Sequence, residues 1–146
     1  MTVMAMTTDE REAFLAAVHV GVLSVARKEK APLTVPIWYR YEPGGELSIL
    51  IGPDSLKAKL LARAGRFSLC VQTESVPYRY VSVEGPVCEI VHYDLERDLG
   101  AMAARYLGEE GRAGFIDGMR EKYGQGNGIK VTIRPEAWLS ADYSKA

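Results

Sequence analysis

The chain is poor in the residues from which metal sites and hydrolytic centres are built: its 146 residues include two cysteines and two histidines. Cys70 and Cys88 stand eighteen residues apart without a CxxC pair, and neither His19 nor His92 lies at a ligand spacing from a thiol or carboxylate. That pattern argues against a zinc cluster and supplies no nucleophile-and-base set, so no metal is expected. In apolar, strand-like surroundings both thiols read as buried and reduced, and His92 reads as a surface residue. An excess of one charge is also missing. Against 19 Asp and Glu stand 18 Lys and Arg, dispersed along the chain, for a formal net charge of −1, which leaves no general footprint for nucleic acid. No apolar run reaches membrane-spanning length, and the opening MTVMAMTTDERE has neither a basic n-region nor an apolar h-region, so the expectation is a cytoplasmic protein without membrane association.

What is present suits one globular domain over residues 1–146, because 47% hydrophobic and 25% charged residues allow a core and leave little room for disorder. Thr7, followed three residues later by Glu10, reads as a capping box opening a helix that should end near His19, with Phe14, Leu15 and Val18 on one face. Alternating β-branched and aromatic residues over 20–26 and 33–41, separated by RKEKAP, predict a hairpin. A turn at Pro43, Gly44 and Gly45 leads to a third strand over 46–51. Next come a helix over 55–64, closed by Gly65, and a strand over 67–72. Residues 78–91 predict a long strand bent at Gly85 and Pro86, as where a sheet curves toward closure.

Two helices follow, over 94–107 and roughly 112–123, the first with Leu95, Leu99, Met102 and Tyr106 at helical spacing. The loop GQGNG carries Gly124, Gly126 and Gly128 after a helix and before a strand, the reverse of a dinucleotide fingerprint, and reads as a turn. A strand over 129–133 and a terminal segment returning Trp138 and Tyr143 to the body complete the chain. About six antiparallel strands with helical insertions predict a mainly-β barrel and not the βαβ alternation of a Rossmann sheet.

The segment IGPDSLKAKLLARAGRFSLCVQ places Lys57 and Lys59 in the first turns of a short helix. A helix N-terminus already carries partial positive charge and unpaired N–H groups, so a lysine there is electrostatically misplaced unless an anion joins it. On a wheel of about 100° per residue, Lys57 falls in the covered arc with Leu56, Leu60, Leu61 and Ala64, while Lys59 and Arg63 lie on the opposite flank. Two readings fit: a phosphate held by Lys57, Ser55 and backbone N–H groups, or a snorkelling lysine with Asp54 as N-cap. GPDSLK is not a P-loop, since it lacks the Gly-Lys-Ser/Thr ending. Pro36 cannot donate a sheet hydrogen bond, so VPIWYRY belongs at an edge or an irregular position where Trp38 either covers a planar ligand or packs in a core or subunit contact. Arg79, at a strand start, meets either a ligand or a carboxylate.

The motifs HVGVLSVA, PLTVPIWYRYEPGGELSILIG, DSLKAKLLARAGRFSLCVQ, YVSVEGPV and WLSADY, in this order, resemble the pyridoxamine 5'-phosphate oxidase-like split-barrel superfamily, and more closely its branch of flavin- or deazaflavin-dependent oxidoreductases. The resemblance implies a Greek-key-like split β-barrel that binds FMN or coenzyme F(420). It implies that the helix after the third strand grips the cofactor phosphate, with Ser55 and Lys57 matching that grip and Leu56 standing where pyridoxamine phosphate oxidases often carry arginine. It implies further that Val35, Pro36, Ile37 and Trp38 run along the ring and that Arg79, Tyr80 and Val81 line the same site. Lys59 and Arg63 are candidates for the acidic tail of F(420), and Tyr78 and Tyr80 for substrate or proton contacts. Members of this kind imply a homodimer with cofactor sites at the interface. The expected activity is an F(420)-dependent reductase passing hydride to an unsaturated small-molecule acceptor; an FMN-dependent oxidoreductase and a non-catalytic flavin- or haem-binding module are the alternatives.

Overall fold

The computed structural model describes residues 4–124 and 128–146, so Gly126 of the GQGNG loop lies outside the described residues. Period-two alternation of apolar side chains produces the strands: β1 (Gly21–Arg27), β4 (Leu47–Ile51) and β5 (Arg66–Gln72) each bury every second residue. With β2 (Lys30–Ile37), β3 (Arg40–Tyr41), β6 (Arg79–His92), β7 (Ile129–Ile133) and β8 (Ala137–Asp142), the described residues form eight strands in the order β2-β1-β5-β6-β7-β4-β3, with β8 added on β6. All pairings are antiparallel. The sequence expectation of about six strands falls short by two. The terminal segment forms β8 instead of merely returning to the body, and the strand expected over 33–41 divides into β2 and β3.

That division has a physical cause. Tyr39 is fully buried, and its hydroxyl donates to the Leu15 carbonyl at 2.6 Å. Turning this ring inward takes Trp38 and Tyr39 out of the ladder, and the chain changes partner from β1 to β4. The same contact shortens the first helix. α1 (Thr8–Ala16) opens on the Thr7–Glu10 capping box and stops at Ala16, short of His19. Its last carbonyls are taken by Tyr39 and by Arg105, whose guanidinium donates to Ala16 O at 3.0 Å and Ala17 O at 2.9 Å.

β6 joins the two halves of the barrel. One edge receives β5 over residues 80–86; the other receives β8 over 79–84 and then β7 over 87–92. The β7–β8 link crosses at Gly85, with Arg134 N donating to Pro86 O at 3.1 Å and Glu136 N to Glu84 O at 2.8 Å. A Cβ at Gly85 would fall inside the envelope of the Arg134 carbonyl oxygen. The expected bend at Gly85 and Pro86 is therefore a backbone crossing that only glycine permits. Past it, the register shifts between Val87 and Glu89, and Cys88 emerges exposed with its thiol donating to Glu46 Oε2 at 2.7 Å. Cys88 is thus not the buried thiol the sequence implied, because the bulge turns it outward; Cys70 is partly buried.

The barrel core holds Leu23, Leu47, Ile49, Leu69, Val81 and Ile133, each at most 1% exposed. Outside the barrel wall a π-helical turn (Leu95–Leu99) leads into α3 (Gly100–Tyr123), which breaks at Gly108, where φ is +75°. The halves correspond to the two expected helices, the second starting directly after the break. Leu95, Leu99 and Ile116 form a separate apolar cluster with Leu50, Tyr93 and Phe115. Gly85→Ala should destabilise the fold by about 1–3 kcal/mol, read as a lower urea midpoint, because the opposing backbone cannot retreat without breaking the β7–β8 crossing.

Candidate functional site

α2 (Leu56–Ala64) follows β4 through Gly52 and Pro53. Ser55, not Asp54, is its N-cap: the hydroxyl accepts from Ala58 N at 3.1 Å and donates to Gly52 O at 2.8 Å. Leu, Ala and Lys then continue the helix, and Gly65 at φ +69° ends it. The first turn holds no acidic residue. Lys57 is half-buried, and among the described residues it makes neither a hydrogen bond nor an ion pair. Leu56, expected in the covered arc, is 54% exposed, since Ala58, Leu60 and Leu61 supply the buried face instead. Lys59 and Arg63 are exposed and likewise unpaired among the described residues. The N-terminus of α2 thus offers a cation and free N–H groups with no internal anion to meet them.

Beside it lies a cavity of about 470 Å³, bounded by the end of β2, the end of β4 with Gly52 and Pro53, and the broken helix α3. Ile37 and Trp38 line it, and the Trp38 ring is stacked on Tyr106 at 4.7 Å and 5° and tilted against Phe115 at 5.6 Å. Tyr106 holds this wall in place: its hydroxyl donates to His19 O at 2.6 Å and accepts the Tyr39 N–H at 3.1 Å. On the far side Tyr93 lies over Gly128, where a Cβ would collide with the ring. Burial raises the pKa of the Tyr93 hydroxyl. Arg112 and Arg120 tie the second half of α3 back to Glu96, and the Arg112 Nε also donates to Gly100 O at 3.2 Å.

The π turn that presents Leu95 and Leu99 to the cavity is organised by Asp98. Its carboxylate accepts from Asp94 N at 2.8 Å and from Arg97 at 3.1 Å, with Lys130 at 4.0 Å. Burial alone would raise this carboxyl; the Arg97 and Asp94 bonds, with Lys130 nearby, outweigh it and hold the group below the usual aspartate range.

The remaining sequence candidates lie elsewhere on the chain. Val35 is half-buried against the barrel core and Pro36 is exposed on the edge strand β2. Val81 is fully buried, so its side chain is turned away from any ligand; near the start of β6, opposite Val71, it belongs to the barrel core. Among the described residues the Arg79 guanidinium meets no carboxylate at ion-pair distance, and it sits 5.7 Å from the Phe14 ring centroid. Tyr80 is partly exposed on the outer sheet face, and Tyr78 is 52% exposed. Arg79 and Tyr80 open β6, separated from β2 by β1 and β5. Three strand spacings are about 14 Å. One chain therefore brings Ile37 and Trp38 to one cavity with Gly52 and Pro53, which lead into α2, and leaves Arg79, Tyr80 and Tyr78 apart from them. Sequence reasoning missed Tyr93, Phe115, Gly52 and Pro53, and read Leu95, Leu99, Met102 and Tyr106 as one helix face. The available signal was that bulky residues follow β6 while a glycine precedes β7.

His19 stacks on Phe14 at 4.5 Å, with Nε2 3.1 Å from Phe14 O, and burial lowers its pKa. His92 is exposed, as expected, and no histidine lines the cavity. Among the described residues no group of three His, Cys, Asp or Glu could hold a metal ion. None of the described helices is long and apolar enough to cross a membrane.

The bent β6 shared by two antiparallel halves, with helices packed outside, defines a split β-barrel. It is the fold of the pyridoxamine 5'-phosphate oxidase-like proteins, as the resemblance implied. The chain is similar to the conserved hypothetical protein Rv2991 of Mycobacterium tuberculosis, with a TM-score of 0.79 and 24% identity over 99% of this chain and 90% of that one. It is similar to a protein described as an F420 reductase, with a TM-score of 0.69 and 20% identity over 88% and 94%. A Listeria innocua protein described as a candidate pyridoxamine 5'-phosphate oxidase matches with a TM-score of 0.61 and 14% identity over 91% and 96%. No protein-family model matches the sequence, and no curated protein does.

Stability conferred by Asp98 should be complete above about pH 4, the ordinary carboxyl pKa, and lost as pH falls through its lower folded value. Thermal unfolding across that acid range should fall more steeply for the native protein than for Asp98→Asn, which carries no titrating group there.

Proposed function

We propose that the chain is an oxidoreductase that holds a flavin-type cofactor by its phosphate at the N-terminus of α2, and that the cofactor is coenzyme F(420) in preference to FMN. The observation that carries the reading is Lys57: a half-buried cation at the positive end of a helix, with no anion of the protein beside it. A charge-assisted bond to phosphate is worth about 1.5–3 kcal/mol, more than the roughly 0.3–1 kcal/mol lost by setting a lysine against the helix dipole. The residues present fit the group. Lys57 and the first N–H groups of α2 would take the phosphate, while the cavity walled by Ile37 and Trp38, which reaches Gly52 and Pro53 just before α2, would receive a planar ring. Exposed, unpaired Lys59 and Arg63 continue the positive charge along α2, which suits the longer acidic tail of F(420). Leu56 adds no second cation beside Lys57. The similarity to an F420 reductase supports the same choice. Bound there, the cofactor would supply hydride chemistry, and the chain's part is to orient the ring, exclude water from one side of it and seat an acceptor.

The working unit we propose is a homodimer. One outward row of the sheet, set by the pairing register, runs Pro36, Val22, Cys70, Ser82 and Leu139 across five strands without a charge. Leu139 is 63% exposed and Val22 is 36% exposed. A second copy laid on this face would cover that row, and its Arg79 and Tyr80 could reach the Trp38 end that its own chain keeps about 14 Å away. Two sites per dimer follow, as the resemblance implies.

Titrating FMN and F(420) separately tests the cofactor. F(420) should bind more tightly, and Lys57→Ala should weaken its binding by more than tenfold while leaving the far-UV spectrum and urea midpoint unchanged; an unaltered dissociation constant refutes the phosphate assignment. In sedimentation, Leu139→Glu should turn the dimer into monomer and weaken the cofactor at the same time. A native monomer with full cofactor affinity would refute the shared site.

A further inference from the structure

A second cavity, of about 320 Å³, lies among α1, the turn between β3 and β4, and the link from β7 to β8. Glu46 stands just before β4 and Gly52 just after it, so the length of that strand, about 20 Å, separates this cavity from the one beside α2. Two carboxylates and one guanidinium line it: Glu12 from α1, Glu46 and Arg134. None of the three makes an ion pair among the described residues. The β4–β7 ladder joins Leu47 to Ile133, and one step beyond it the same register sets Glu46 opposite Arg134. Opposite charges so placed across two strands attract and ordinarily close on each other. Here Glu46 turns instead to the Cys88 thiol, which donates to its Oε2 at 2.7 Å, and the Arg134 guanidinium keeps its donors free among the described residues.

The rest of the wall is fixed by bonds within the protein. Glu12 Oε1 accepts from the Tyr41 hydroxyl at 2.6 Å and from Gly44 N at 2.7 Å, and these bonds hold its carboxyl below the usual glutamate range. Burial and the same Glu12 contact push the Tyr41 hydroxyl up to about 12, so it stays a donor. The Trp138 ring crosses Tyr41 at 6.0 Å and 71°, with the Arg11 guanidinium 4.6 Å from its centroid. Each carboxylate keeps one oxygen, Oε2 of Glu12 and Oε1 of Glu46, without a partner among the described residues. This set selects by charge. A plain cation answers the carboxylates and is repelled by Arg134; a plain anion answers Arg134 and is repelled by the carboxylates. A neutral molecule would cover three charges and pair none of them. A molecule carrying both an ammonium and a carboxylate meets all three.

We propose that this cavity binds a free α-amino acid with an apolar side chain, its ammonium between Glu12 and Glu46, its carboxylate on the Arg134 guanidinium and its side chain against Trp138. The volume is at the lower end of ligand pockets and suits a molecule of that size. A guanidinium takes a carboxylate through two parallel bonds, which fixes the orientation of the ligand. The site stands apart from the cofactor cleft and does not depend on the flavin-type reading.

Calorimetric titration with L-phenylalanine, 2-phenylethylamine and 3-phenylpropanoate tests the assignment, because the three share a ring and differ in which charges they carry. L-Phenylalanine should bind at least tenfold more tightly than either of the others. Arg134→Gln should weaken L-phenylalanine at least tenfold and leave 2-phenylethylamine no weaker. Glu46→Gln should weaken L-phenylalanine three- to tenfold and leave 3-phenylpropanoate no weaker. Both side chains are exposed, so the urea midpoint should hold in each variant. Saturating F(420) or FMN should leave the L-phenylalanine affinity unchanged. No binding of L-phenylalanine, an affinity matched by either single-charge probe, or no effect of Arg134→Gln overturns the proposal. Competition with either cofactor also overturns it, because the amino acid is then in the cofactor cleft. The two readings fail separately: cofactor affinity is read through Lys57→Ala and amino-acid affinity through Arg134→Gln.

Discussion

The joint between Tyr39 and Tyr106 is the contact on which the functional half of the molecule depends. When β2 ends at Ile37, the Tyr39 N–H leaves the ladder and needs another acceptor; the Tyr106 hydroxyl provides it, and donates its own hydrogen bond to His19 O. One side chain of α3 thereby fastens the helical excursion to the barrel, fixes where β2 stops, and backs the Trp38 ring that walls the cavity. Tyr39 itself, fully buried with its hydroxyl on Leu15 O, ties the same point to α1. Removing the chain from the ladder costs sheet hydrogen bonds, and these three side-chain bonds replace them.

Around that joint the molecule separates two kinds of environment. At the start of α2 the backbone and Lys57 concentrate positive charge at a surface accessible to an anion. A short distance along the chain, between β4 and α3, the cavity lining carries no charged side chain, and Arg97, Arg112, Arg120 and Lys130 are paired with Glu96 or Asp98. An elongated ligand with a phosphate end and a planar ring suits the junction of these two environments. The carboxylates Glu96 and Asp98 stitch the π turn and the broken helix together.

Much of the architecture was legible in one sequence because it rests on local rules. The Thr7–Glu10 box, the Gly65 cap, the alternation in β1, β4 and β5, and the bend at Gly85 each announce themselves within a few residues. The errors fall where tertiary contacts override that grammar. Residues 33–41 alternate as one strand, yet burial of Tyr39 cuts them in two; α1 could have run to His19, but Arg105 and Tyr39 take its carbonyls. β8 is short and lies past a proline, and what makes it a strand is the free edge of β6. Leu56 fell in the covered arc on the wheel, whereas the angle at which α2 packs buries Ala58 instead.

The site divides along the same line. The sequence by itself determined the cation at a helix start, because capping, helix propensity and charge are read within a single turn, and it marked Trp38 as an aromatic close to the edge proline Pro36. Only the tertiary structure decided that Trp38 faces a cavity shared with Tyr93 and Phe115, that Val81 is sealed in the core, and that Arg79 and Tyr80 stand three strands away from β2. Those facts depend on strand order and on where a broken helix is fastened, which involve residues tens of positions apart and leave no local mark in the sequence.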